Sequence, residues 1–169
     1  MLPRAPQAIR DVLILHAAEF ACAIPSDRIA ELIFIPALIR APSQPELLDG
    51  FLNLRGAMVP VAPLHRLFHR PAPEPDLYTP LVAVRAPVGL LALRADSLDD
   101  VATVDDASLV PYTREDSLNE CAEAQFEWNG ESVALLSIER LLLQKERECI
   151  AAFQLQMEQR LANLEAPPA

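Results

Sequence analysis

The sequence predicts a mainly β fold made of two related halves, followed by one long α-helix. Three observations lead to this expectation: an Asn-Gly turn between two β-forming segments, a repeat of the N-terminal pattern 69 positions later, and a helical periodicity after Ser137. The 169 residues are 51% hydrophobic and 22% charged, which is enough apolar material for a sizeable core. The net charge of −10 argues against nucleic acid and anionic membrane surfaces as partners, because both attract basic proteins.

The first predicted element is a β-strand rather than a signal peptide. An apolar stretch is centred on Val12–Leu15, but Asp11, His16 and Glu19 interrupt it. The other uncharged runs are far too short to span a bilayer. We therefore expect no direct membrane insertion.

The repeat predicts that two halves of the chain share one local fold. Val12–Leu15 aligns with Leu81–Val84, and the segment 27–32 aligns with 96–101 without a gap. In each copy the pattern predicts a strand, a tight turn, a second strand and then a third strand with alternating apolar residues. Chance similarity between two hairpins is the alternative explanation.

Turn and linker signals divide the rest of the chain. Asn129-Gly130 predicts a hairpin between two β-forming segments, and Val88-Gly89 predicts another within the second repeat. The first half is expected over about 11–68 and the second over about 78–137. Between them, residues 69–77 are proline-rich and predict an extended connector, with a ligand for a proline-recognising domain as the alternative.

The C-terminal segment predicts an amphipathic helix over 138–165. Apolar residues recur there at steps of three and four, and no glycine or proline interrupts them before Pro167. Because each helical residue adds about 1.5 Å, this helix is long for a small β-barrel. Its distal part is therefore expected either to pack on its own barrel or to bind a partner.

Few residues are suited to catalysis or metal binding, so we expect a non-enzyme with no catalytic residue, no metal and no cofactor. His16 lies inside an apolar strand, and His65 and His69 are spaced i, i+4 without a nearby third ligand. Cys22 lies among small apolar residues, which predicts an inert thiol with a raised pKa. The three cysteines are widely spaced, which favours a reducing cytoplasm over a disulfide framework. An enzyme that uses the histidines and paired acids on a small barrel is the remaining alternative.

The segment Leu47–Val61, which reads LLDGFLNLRGAMVPV, carries a family resemblance. It resembles the signature of the CheW-like domain family, the coupling proteins of bacterial chemotaxis, in which a glycine, an apolar strand, Asn-Leu-Arg-Gly and Val-Pro occur in this order. The resemblance extends over about 11–143. It implies two intertwined, SH3-like, five-stranded β-barrel subdomains around a shared hydrophobic centre.

The same resemblance implies a role in signalling. Such a protein would be a cytoplasmic adaptor, recruited to membrane-associated receptor arrays, that couples the cytoplasmic tip of a methyl-accepting chemoreceptor to the regulatory domain of a CheA-type histidine kinase. A CheW-like assembly regulator that acts through the long helix is the alternative. The residues that match partner-binding positions of the family are Ile29, Glu31, Leu32, Gly50, Arg55, Gly56, Leu98 and Val101.

Arg55 is the residue of this set with two open interpretations. It either braces the fold, through backbone carbonyls or an acid such as Glu31, or presents its guanidinium to a partner. Its neighbour Asn53 is expected to hydrogen-bond within its own turn.

Overall fold

The computed structural model describes residues 8–34, 37–76, 78–87, 89–112 and 121–165. Strands dominate these residues, and one long helix closes the chain. The strands are β1 (Ile9–Ala17), β2 (Phe20–Pro25), β3 (Ile29–Phe34), β4 (Leu38–Ile39), β5 (Gly50–Leu54), β6 (Ala57–Pro63), β7 (Pro80–Ala86), β8 (Gly89–Arg94), β9 (Ser97–Asp105), β10 (Val110–Pro111), β11 (Ala122–Trp128) and β12 (Glu131–Leu136). The helices are α1 (Leu64–Leu67) and α2 (Gln144–Glu165).

Two β-sheets organise the described residues. The first sheet has the strand order β10-β11-β12-β2-β1-β9, and the second has the order β3-β7-β8-β6-β5-β4. Each therefore contains six strands rather than the five predicted, because one two-residue strand, β10 or β4, is added at an edge. The predicted mainly β fold with a long C-terminal helix is confirmed.

The third strand of each repeat pairs with the other repeat. β3 pairs antiparallel with β7, and β9 pairs antiparallel with β1. Neither sheet is consequently built from one half of the sequence alone. The hairpins β1–β2 and β7–β8 each leave an edge strand, and the exchanged strand supplies the missing backbone partners along that edge.

The turn signals have the backbone geometry that they predict. Asn129 and Gly130 have φ angles of +51° and +77° between β11 and β12, which matches a two-residue turn with both residues in the left-handed region. Gly89 has a φ of +101° and opens β8, which pairs with β7. Val88 lies outside the described residues. Both predicted hairpins are confirmed.

Ion pairs across several strands show that both sheets curl. The Arg55 Nη2 atom lies 3.3 Å from Glu31 Oε1, although the β5–β6 turn is three to four strands away from β3 in the sheet order. In a flat sheet the two strands would be roughly 14–19 Å apart. Similarly, Arg10 on β1 contacts Glu123 on β11 at 3.8 Å across two intervening strands. The sheets are therefore strongly curved, as barrel subdomains require.

The two sheets and α2 share one hydrophobic cluster, which we call the central core. It joins inward-facing apolar residues from the first sheet with others from the second. Its members include Leu13, Leu15, Ile24, Phe51, Met58, Val82, Leu93, Leu136 and Ile150.

The long helix begins at Gln144, so the predicted start at Ile138 is wrong. Residues Ile138–Arg140 form a single 3₁₀ turn, and Leu141 and Leu142 are buried in the central core. The helix start is stabilised locally, since the Leu143 amide donates to the Glu146 carboxylate at 2.8 Å. Because Ile138, Leu141 and Leu142 are also buried, the apolar periodicity begins before the α-helical backbone does.

The first part of α2 packs on its own barrel. Ile150 is fully buried, and the Phe153 ring stacks on Phe51 with centroids 5.4 Å apart. Gln154 Nε2 donates to the Met58 carbonyl oxygen at 2.7 Å. These turns of the helix therefore pack on the protein's own core.

The buried, ion-paired side chain of Arg94 attaches the proline-rich connector to the second sheet. Arg94 Nε lies 2.6 Å from Asp49 Oδ2, and both side chains are less than 5% exposed. Arg94 Nη1 also donates to the Pro73 carbonyl oxygen at 2.7 Å. The connector, described over 69–76, has no regular secondary structure, yet this contact ties it to β8.

Candidate protein-interaction site

The predicted partner-binding residues lie largely on two edge strands. β3 has one hydrogen-bonded neighbour, β7, at the edge of the second sheet, and β9 has one neighbour, β1, at the edge of the first. These two strands occupy corresponding positions in the sequence repeat. Because an edge strand leaves backbone donors and acceptors without sheet partners, it is a natural place for another protein to dock.

β3 presents apolar side chains on its outer face. Ile29 and Glu31 are half-buried, while Leu32 is 43% and Phe34 59% exposed. Large exposed apolar side chains in a row favour contact with a partner. The partner-binding residues predicted from the sequence include Leu32 but not Phe34, although the alternation that exposes Leu32 also places Phe34 on the outer face.

The Asn-Leu-Arg-Gly segment forms the turn between β5 and β6. Arg55 and Gly56 both adopt positive φ angles, +53° and +89°. The Gly56 amide donates to Asn53 Oδ1 at 2.9 Å, which confirms the expected hydrogen bond of Asn53 within its turn. Arg55 and Gly56 therefore form a two-residue turn with both residues in the left-handed region.

Arg55 combines the two roles that the sequence left open. It contacts Glu31 at 3.3 Å, yet its side chain is 79% exposed. An exposed ion pair of this kind contributes at most about 1 kcal/mol to stability. Apart from the contact with Glu31, the guanidinium has no partner among the described residues, so its other N–H groups are available to a carboxylate or carbonyl.

Gly50 has a structural role in this surface. A Cβ atom there would lie 2.8 Å from the Ile39 carbonyl oxygen, closer than van der Waals contact allows. The residue is buried, where β5 packs against β4. Gly50 therefore shapes the sheet edge and offers no side chain to a partner.

The predicted residues of the second repeat lie on β9, an edge strand of the other sheet. Leu98 is half-buried and packs on the central core, as Ile29 does. Val101 is 60% exposed on β9. The structure thus brings Glu31 and Arg55 into contact, whereas Leu32 and Val101 lie on edge strands of different sheets.

His16 and Cys22 are engaged in the fold. His16 Nδ1 lies 2.7 Å from Asp99 and its Nε2 3.0 Å from Glu131. Burial lowers the pKa of His16, but the hydrogen bonds and charges of Glu131 and Asp99 outweigh it, so the pKa lies above its ordinary value. Burial raises the pKa of the Cys22 thiol to about 12, as expected for an inert cysteine.

In the described part of the chain, no group of three or more histidine, cysteine or acidic side chains is arranged to hold a metal ion. None of the described helices has the length and apolar character needed to cross a bilayer.

With the geometry known, comparison with known proteins identifies the family. The family model of the CheW-like domain matches residues 11–146. The chain belongs to the CheW-like domain family. Its signature segment, Leu47–Val61, therefore contains the β5–β6 hairpin of a CheW-like domain, with Arg55 in the turn.

A solved structure agrees with this assignment at the level of the fold. The crystal structure of the scaffolding protein TtCheW from Thermoanaerobacter tengcongensis is similar, with a TM-score of 0.72 and 19% sequence identity. The alignment covers 82% of this chain and 97% of that one. No curated protein sequence matches the chain.

Proposed function

We propose that this CheW-like domain is a non-catalytic adaptor that couples chemoreceptors to a CheA-type histidine kinase. Its partners are the cytoplasmic tip of a methyl-accepting chemoreceptor and the regulatory domain of the kinase, and it acts in the cytoplasm at receptor arrays. The observation that supports this proposal is the pair of equivalent edge strands, β3 and β9, each with an exposed aliphatic side chain and lying in different sheets.

An adaptor needs surfaces that two partners can occupy at the same time. The first surface comprises Leu32, Phe34 and the Glu31–Arg55 pair, and the second is centred on Val101, with the half-buried Leu98 on the same strand. Exposed apolar side chains supply affinity in such a contact, and rim charges such as Arg55 tune selectivity and the association rate. Gly56 contributes by allowing the turn that carries Arg55, whereas Gly50 permits the close approach of β5 to β4.

The test compares two charge reversals on the full chain. Arg55→Glu and Arg160→Glu change the net charge equally, and both side chains are exposed, but Arg160 lies on α2. Binding is measured by isothermal titration calorimetry against a purified receptor-tip fragment and a purified kinase regulatory domain. We expect Arg55→Glu to weaken binding of at least one partner about tenfold, or about 1.4 kcal/mol.

Two further outcomes decide the proposal. Arg160→Glu should bind both partners as the unmutated chain does, and circular dichroism should show that both variants fold. Leu32→Asp and Val101→Asp should weaken different partners, because the two residues lie on different sheets. If the unmutated chain binds neither partner, the adaptor function is refuted; if Arg55→Glu binds both normally, the role of Arg55 is refuted.

An assembly regulator that acts through the long helix is the second candidate function. It is favoured by one observation, the exposed Leu164 near the end of α2, which is 83% exposed.

A further inference from the structure

A groove lies between the last turns of α2 and the segment that follows β4. Its volume is about 290 Å³, and apolar side chains dominate its walls. One wall carries Met157, Leu161 and Leu164, and Ile39 and Pro42 lie on the other side. The groove includes none of the residues assigned above to the two partner surfaces.

The helical wall is a continuous apolar stripe. Met157, Leu161 and Leu164 are spaced i, i+4 and i+7, so they project from one face of α2. Met157 and Leu161 are half-buried against the central core, whereas Leu164 is 83% exposed. The stripe thus continues beyond the part of the helix that the barrel covers.

The charge of the groove is opposite to that of the protein. Arg40 and Arg160 are the charged side chains that line it, and none of its lining residues is acidic, although the chain has a net charge of −10. Within the described residues neither arginine forms an ion pair. Two unpaired cations beside an apolar groove favour an occupant with apolar and acidic side chains.

We propose that this groove binds an acidic amphipathic helix of another protein. A helix lying along α2 would place apolar side chains against Met157, Leu161 and Leu164, at the i, i+3, i+4 and i+7 spacing used in helix-in-groove recognition. Its carboxylates would then reach Arg40 and Arg160 from the rim. This interaction is separate from the β3 and β9 surfaces, so the groove gives the protein a third docking site.

The probe is a fluorescein-labelled acidic amphipathic helical peptide of about 20 residues, with leucines at i, i+3, i+4 and i+7 and glutamates elsewhere. Binding to the full chain is followed by fluorescence anisotropy. We expect Arg40→Glu/Arg160→Glu to weaken binding about tenfold, or about 1.4 kcal/mol, and Leu164→Gln to weaken it severalfold. Arg55→Glu/Arg70→Glu, which also reverses two exposed charges but at residues outside the groove, is the matched charge control and should leave peptide binding unchanged.

Three outcomes would overturn the proposal. The first is equal binding of a peptide in which lysines replace the glutamates, and the second is an equal loss of binding in Arg55→Glu/Arg70→Glu. The third is no binding of the acidic peptide; a dimer that Leu164→Gln abolishes would in that case assign the groove to a second copy of the chain. Failure here leaves the receptor and kinase measurements unaffected, because those depend on Arg55, Leu32 and Val101.

Discussion

Replacing Ile150 by alanine tests whether α2 is part of the hydrophobic core. Ile150 is 0% exposed and belongs to the central core, although it comes from the C-terminal helix. The substitution removes three carbon atoms, for which lost burial costs about 0.8 kcal/mol each, and the residual cavity adds to this. We expect the free energy of unfolding to fall by about 3 kcal/mol, within the range of 2–5 kcal/mol for such core substitutions.

Leu155→Ala is the matched control for this experiment. It lies on the same helix, and its side chain is 56% exposed, so its replacement should cost roughly 0.5 kcal/mol or less. Unfolding in urea is followed by far-ultraviolet circular dichroism and by the fluorescence of Trp128, which lies on β11 and packs against apolar residues of the first sheet. Coincident transitions by the two signals would indicate that the helix and the sheets unfold together.

We expect a large difference in urea midpoint between these two variants. If Ile150→Ala and Leu155→Ala have the same midpoint, the helix does not pack on the barrel in solution as described. If circular dichroism reports an early transition that Trp128 fluorescence does not follow, α2 unfolds as a separate unit.

Two other predictions address polar groups in the fold. Asp49→Ala should lower the free energy of unfolding by about 3–5 kcal/mol, because it leaves the buried Arg94 charge without its carboxylate. Asp49→Leu/Arg94→Leu should cost less, because it removes both charges. Equal urea midpoints for Asp49→Ala and the unmutated chain would contradict this prediction. His16 has a raised pKa, so its stabilising contribution is present below its ordinary pKa of about 6.5 and is lost as the pH rises through the native value. The difference in Tm between the unmutated chain and His16→Gln should therefore be larger at about pH 6 than at about pH 8, and a difference that grows with pH would refute the assignment.

The candidate site shows how far sequence reasoning reaches. Leu32 and Val101 are exposed, while their role in partner binding stays a prediction, and the Asn53 hydrogen bond follows from local turn chemistry. Phe34 was missed although the same alternation exposes it. Gly50 was included among the partner-binding residues, but its burial beside Ile39 depends on how closely two strands approach, which its local sequence does not specify.

The limits of the helix were predicted less well than its existence. Apolar spacing alone cannot distinguish a helical turn from a 3₁₀ turn followed by two buried residues, and Ile138–Leu142 satisfies both. The helix start depends on the contact between Leu143 and Glu146 and on the packing of Leu141 and Leu142.

By itself, the sequence determined the local elements of this CheW-like domain: the Asn129-Gly130 hairpin, the repeated strand pattern and a long C-terminal helix. These follow from backbone preferences and hydrophobic periodicity, which act over a few residues. Only the tertiary structure decided the exchange of β3 and β9 between the repeats, the contact of Arg55 with Glu31 and the burial of Ile150. Each of these depends on which strand edges and apolar faces remain uncovered after the local elements form, and distant parts of the chain supply their partners.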